Sequence, residues 1–186
     1  MFIQTEATPN PATMKFIPGR QVLEVGTREF RDKASAEAAS PLAARLFQID
    51  GVDGVFLAYD FISVSKSHGE WQHLKPAVLG VIMEHYMSGA PVVKDETANG
   101  AEDGDYAPEH AEIVATIKDL LETRVRPAVA SDGGDITFQG FRDGVVYLKM
   151  RGACAGCPSS TATLRHGIEN LLRHFVPEVK EVQPAA

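Results

Sequence analysis

The 186-residue chain is 44% hydrophobic and 23% charged, the make-up of a folded protein with enough apolar side chains for two small cores. Its 25 acidic against 18 basic side chains give a formal net charge of −7 and a pI of about 5.3, which argues against nucleic acid as a partner. No apolar run approaches the roughly 20 residues of a membrane span, no export signal opens the chain, and two cysteines make no disulfide framework. Such a chain is expected where thiols stay reduced, in a bacterial cytoplasm ahead of a mitochondrial matrix.

In chain order, residues 14–17 and 21–25 are predicted strands about a Pro18-Gly19 turn. Ser40-Pro41 then has the signature of an N-cap followed by proline at the first helical position, opening a short helix through Phe47. Residues 55–59 and 61–65 are expected to pair as antiparallel strands across Asp60. Leu74, Val78, Ile82 and Tyr86, flanked by Leu79 and Met83, recur at helical spacing. These elements define a first α+β domain over residues 1–88.

Residues 89–107 are rich in Gly, Pro, Ala and acid, with Asp95, Glu96, Glu102, Asp103 and Asp105 facing only Lys94. They are expected to form a flexible, solvated acidic linker.

The second domain, residues 108–186, is predicted to open at Pro108 with a helix whose apolar stripe runs through Ile113, Ile117 and Leu121. Ile136 and Phe138 alternate with Thr137 and Gln139, Arg142-Asp-Gly144 makes a turn, and residues 145–150 return as a second strand. Leu164, Ile168, Leu171, Leu172 and Phe175 mark a closing helix, and residues 179–182 an edge strand. The fold class is therefore α+β: two small α+β domains on either side of a linker.

Between the hairpin and the closing helix stands Arg151-Gly-Ala-Cys154-Ala-Gly-Cys157-Pro-Ser-Ser160, which holds both cysteines of the chain. With Pro158 suited to a first helical turn, the thiols sit at a helix N-terminus, where unpaired amides and the helix dipole favour thiolate. Three chemistries compete for such a Cys-x-x-Cys. A thiol-disulfide oxidoreductase would place it in a βαβ unit, whereas here a hairpin precedes it. Tetrahedral zinc needs four ligands, and His68, His73, His85, His110, His166 and His174 lie at no zinc-site spacing from the cysteines. An iron-sulfur cluster takes four thiolates, which two chains related by a two-fold axis would supply together.

Three further features have plainer expectations. Asp132-Gly-Gly-Asp135 reads as a tight turn entering a strand, with a supporting role beside the cysteine loop as the alternative. Arg151 is either solvated surface or a counter-charge to the motif. Trp71, near His68 and His73, is either packing or a contact patch. No nucleophile-and-base constellation is visible, so the chain is not expected to be an enzyme.

The segment Asp132-Gly-Gly-Asp-Ile136 followed by Gly152-Ala-Cys154-Ala-Gly-Cys157-Pro-Ser-Ser160 resembles the C-terminal, or Nfu, domain of the NifU family. Thr8-Pro-Asn-Pro-Ala-Thr-Met-Lys-Phe16, Ser40-Pro-Leu42 through Phe47, and Ile49-Asp-Gly-Val52 resemble the N-terminal domain that accompanies it in Nfu proteins. The resemblance implies a 4Fe-4S cluster bound between two protomers through Cys154 and Cys157, in a homodimer that receives cluster from upstream assembly proteins and hands it to apo iron-sulfur clients. No third or fourth ligand cysteine is present, which favours a carrier over a self-sufficient assembly site. The leading expectation is thus an iron-sulfur carrier, and the alternative an oxidoreductase working through the same pair.

Overall fold

The structure, a computed structural model, describes residues 1–95, 104–155 and 158–185, with the side chains of 158–161 outside that description. The chain divides into two compact units, Met1–Gly100 and Ala101–Ala186.

The first unit is an antiparallel five-stranded sheet in the order β1-β2-β5-β4-β3, built from β1 (Gln4–Ala7), β2 (Thr13–Ile17), β3 (Arg28–Phe30), β4 (Val52–Leu57) and β5 (Ile62–Lys66). Helices α1 (Lys33–Ala39), α2 (Pro41–Leu46) and α3 (Trp71–Ser88) complete it. Phe16, Leu42, Leu46, Leu57, Ile62, Val78 and Ile82 fill its core. The cap expected at Ser40 is present: its Oγ accepts from the Ala43 amide at 3.1 Å, and Pro41 begins the helix. The 55–65 hairpin and the long helix also form where their periodicity places them.

The strand expected at 21–25 does not form. β2 is already flanked by β1 and β5, so the Val22 and Leu23 amides turn instead to the Tyr59 carbonyl, at 2.7 and 3.3 Å. β1, β3 and α1 carried too little pattern to be predicted. The seven-residue α1 is alanine-rich and depends on its cap, Asp32, which accepts from the Ser35 amide at 2.8 Å.

Residues 89–95, expected in the solvated linker, are instead fastened to this unit. Val93 is buried, the Lys94 amide donates to Ala39 O at 2.8 Å, and Ser40 Oγ donates to Val92 O at 2.6 Å. A two-residue apolar anchor such as Val92-Val93 shows no period, and the acids around it dominated the composition. Residues 104–106 are likewise ordered in the second unit, and 96–103 lie outside the described residues.

The second unit is a four-stranded mixed sheet in the order β6-β7-β8-β9, from β6 (Asp105–Tyr106), β7 (Gly134–Arg142), β8 (Val145–Gly152) and β9 (Glu181–Pro184). β7 and β8 form the antiparallel hairpin, while β6 and β9 pair in parallel with β7 and β8. Asp143 (φ 52°) and Gly144 (φ 81°) both take left-handed angles, the geometry of a two-residue hairpin turn. α6 (Pro158–Phe175) packs Ile168 and Leu172 into the core beside Ile136, Val146 and Leu148.

The expected opening helix runs from a 3-10 turn at Pro108–His110 through α4 (Ala111–Leu120), a π-helical turn at Leu121–Val125, and α5 (Arg126–Ser131). In the π turn the Arg126 amide donates to Leu121 O, five residues back. Two features of sequence produce it. Pro127 has no N–H to offer Thr123 O, and its ring would collide with that carbonyl in a regular helix. The buried positions Ile117, Leu121, Val125 and Val129 repeat every four residues. At 3.6 residues per turn that stripe would drift about 120° over the stretch, and one inserted residue cancels about 100° of it.

Candidate functional site

The cysteine loop hangs from the open end of the β7–β8 hairpin. The last rungs of the ladder pair Asp135 with Arg151 and Gly134 with Gly152. Beyond them Gly152 turns to φ 65°, Ala153 N donates to Gly133 O at 3.2 Å, and Ala155 N donates to Gly152 O at 3.1 Å. Residues 133–135 therefore act as a rail along which 151–154 are laid.

Cys154 lies in that turn, in no disulfide, 6% exposed and packed into the second unit's core. Its sulfur rests on the backbone of Gly134: a Cβ there would stand 2.8 Å from Cys154 Sγ, 2.7 Å from Arg151 O and 3.1 Å from Cys154 N. Only a residue without a side chain allows this approach. Cys157, the other predicted ligand, and Gly156 lie outside the described residues. Pro158 then starts α6, as expected from the sequence.

Next to the Gly134 floor, the Asp135 carboxylate is 4% exposed and held by both arms of one guanidinium. Arg126 Nε donates to its Oδ1 at 2.9 Å, and Nη2 to its Oδ2 at 3.0 Å. Arg126 Nη1 also reaches Glu122, one turn earlier across the π segment. These bonds, Asp135's first, raise the already high pKa of Arg126 further, so it stays a cation at any relevant pH.

The Asp132-Gly-Gly-Asp135 segment is thus more than the tight turn expected of it: Gly133 takes φ 81° as a turn residue, while Gly134 and Asp135 support the cysteine loop. Arg126 was not singled out in the sequence. The four-residue apolar repeat interrupted by Pro127 was the signal, because it foretells a rephased helix with Arg126 at the break.

The histidines do not gather at Cys154. His68 pairs with Asp50 at 3.3 Å, His85 is buried in the first unit, His110 stacks edge-on against Phe141, and His166 and His174 are exposed on α6. Among the described residues no group of three or more His, Cys, Asp or Glu side chains is arranged to hold a metal ion. Trp71 packs against the first core and donates Nε1–H to Pro11 O at 3.0 Å, which is the packing role.

Comparison with known proteins adds two family matches: the model for scaffold protein Nfu/NifU N terminal fits residues 3–89, and that for the NifU-like domain fits residues 117–183. The human protein named NFU1 iron-sulfur cluster scaffold homolog, mitochondrial, is 49% identical over 98% of this chain and 71% of its own length. NifU-like proteins 4 and 5, mitochondrial, of Arabidopsis thaliana are each 50% identical over 98% of this chain, covering 65% and 67% of themselves. The chain therefore spans about two thirds of the length of these relatives.

Those names overturn the expectation of a bacterial cytoplasm. A chain with only two cysteines and no disulfide framework suits any compartment that keeps thiols reduced, a mitochondrial matrix as much as a bacterial cytoplasm, so composition had no power to separate them. Both units match their own family model and near half-identity holds over 98% of the chain; it belongs to the Nfu/NifU scaffold family.

Proposed function

We propose that this chain carries a 4Fe-4S cluster between two protomers, each contributing Cys154 and Cys157, and passes it to apo-proteins in the mitochondrion. The carrying observation is the seat of Cys154, a core-packed thiol in a turn laid between the hairpin end and the start of the 18-residue α6. The scaffold names of its relatives support cluster binding, and their mitochondrial names support the location.

One chain supplies two thiolates where a cluster takes four, so the shared site follows from ligand count. The helix dipole at the α6 N-terminus offsets part of the negative charge that four thiolates bring. Cys154 is covered within its own protomer, so loading turns its side chain toward the second copy while the backbone of the turn stays on the 133–135 rail.

Transfer is ligand exchange at iron. A recipient cysteinate forms a new Fe–S bond as a bond from Cys154 or Cys157 breaks, and the displaced thiolate takes a proton from solvent. No net electron moves, and no catalytic residue is assigned to the chain.

Anaerobic reconstitution with iron and sulfide tests the reading. About four iron and four sulfide per dimer are expected, lost in Cys154→Ala and in Cys157→Ala. A monomer that takes up no iron but reduces disulfides would replace the carrier with the oxidoreductase.

A further inference from the structure

From the geometry around Asp135 we infer that the Arg126–Asp135 ion pair is a positioning device for the cysteine loop, fixing the rail on which Cys154 is seated for cluster binding. It rests on the carrier reading, and deepens it by assigning a function to two residues remote from the Cys-x-x-Cys motif in sequence.

Three observations converge. Asp135 is the rung of β7 opposite Arg151, and its neighbours Gly134 and Gly133 give the floor under Cys154 Sγ and the acceptor for the Ala153 amide. The Asp135 carboxylate is almost fully buried, and Arg126 grips it through two parallel N–H···O bonds of 2.9 and 3.0 Å. A bidentate grip fixes orientation as well as distance, which a single ion contact does not.

The third observation is the π turn at Leu121–Val125. It ends at Arg126, whose amide closes the widened turn onto Leu121 O. A regular helix would rotate Arg126 about 100° away from its present direction. The irregular helix, the guanidinium, the carboxylate and the glycine floor form one continuous chain of contacts ending at the cysteine sulfur.

Arg126 and Asp135 are positioning residues rather than ligands; they act through residues 133–135. Removing the guanidinium leaves a buried carboxylate without its counter-cation, which moves toward water and carries the rail with it. Cys154 then leaves its seat more readily in the apo protein, and holds its iron less uniformly in the loaded dimer.

The test uses the full chain with Asp135→Asn, Arg126→Lys and Arg126→Met. In apo protein, alkylation of Cys154 by iodoacetamide, followed by peptide mass spectrometry, should be roughly tenfold faster in D135N and R126M than in the parent, and less accelerated in R126K. In reconstituted dimer, the visible absorbance of the cluster under excess chelator should decay in the order parent slowest, R126K next, R126M fastest. Far-UV circular dichroism at the assay temperature identifies which variants are folded, and R126K decides the matter where the harsher changes unfold the unit. Folded variants that match the parent in both alkylation and decay would overturn the inference. A parent that takes up no iron would overturn the carrier reading instead, while the alkylation comparison would still decide the positioning role.

Discussion

Gly134 is the residue at which the demands of fold and chemistry meet. Its strand position would ordinarily carry a side chain, as Ile136, Thr137 and Phe138 do further along β7, yet the Cys154 sulfur and the Arg151 carbonyl occupy the space that a Cβ needs. A Gly134→Ala change should cost about 1–3 kcal/mol of second-unit stability, because one of the two clashing atoms is backbone and cannot rotate aside. It should also expel Cys154 from its seat. The first effect is read in thermal unfolding and the second in a faster Cys154 alkylation; a stable variant with an unchanged alkylation rate would show that the sulfur is held elsewhere. Cys154 and Gly134 are twenty positions apart, so this contact exists only because the β7–β8 register brings them together.

At the scale of elements, the β7–β8 hairpin shows what a sequence makes legible. Arg142-Asp-Gly144 between two apolar runs predicts a turn, and Asp143 and Gly144 adopt the left-handed angles of a two-residue hairpin loop. Gly144 has a second constraint that the sequence concealed. A Cβ there would meet the Lys180 stem at 2.9 Å and Glu178 O at 3.0 Å, because the Gly144 carbonyl receives the Lys180 amide at 2.7 Å and guides β9 alongside β8. Gly144→Ala should therefore lower second-unit stability by about 2 kcal/mol or more, the left-handed backbone cost alone being of order 1–2. Denaturant unfolding followed by the second unit's signals checks it, and a loss below about 0.5 kcal/mol would show that the turn relaxes. Long periodic helices and the hairpin were legible because periodicity and turn chemistry are local. The two-residue β6, the seven-residue α1 and the Val92-Val93 anchor were not, since each is chosen by a partner distant in sequence and carries no pattern of its own. The site divides in the same way: the two cysteines and the diglycine announce themselves, whereas the Arg126–Asp135 grip depends on a helix irregularity that only the interplay of Pro127 with the apolar stripe foreshadows.

For the whole molecule, two separate cores mean that a perturbation can be addressed to one unit and read in the other as a control. His85 provides such a handle in the first unit. It is fully buried on α3, its Nε2 bonds to Pro91 O at 3.1 Å, and its Nδ1 has no hydrogen-bond partner among the described residues. Burial above all, with the positive charge of Arg45 adding to it and the Pro91 and Ala90 backbone opposing it, pushes its pKa below the ordinary histidine value. A histidine whose folded pKa is depressed stabilises the fold fully above its unfolded pKa of about 6.5, and this contribution declines as pH falls through that value toward the folded pKa. Acidification has a structural route as well: the His85–Pro91 bond is one of the ties that hold residues 89–95 against the first unit, and a charged imidazole there is a buried cation. Calorimetry at about pH 7.5 and about pH 5.5 should show the first unit's transition falling on the acid side. In His85→Gln, which keeps a donor for Pro91 O but cannot titrate, that fall should be smaller while the second unit's transition shifts as in the parent. Equal acid shifts of the first transition in parent and H85Q would place the pH sensitivity in other groups and leave His85 as a packed, non-titrating member of the core.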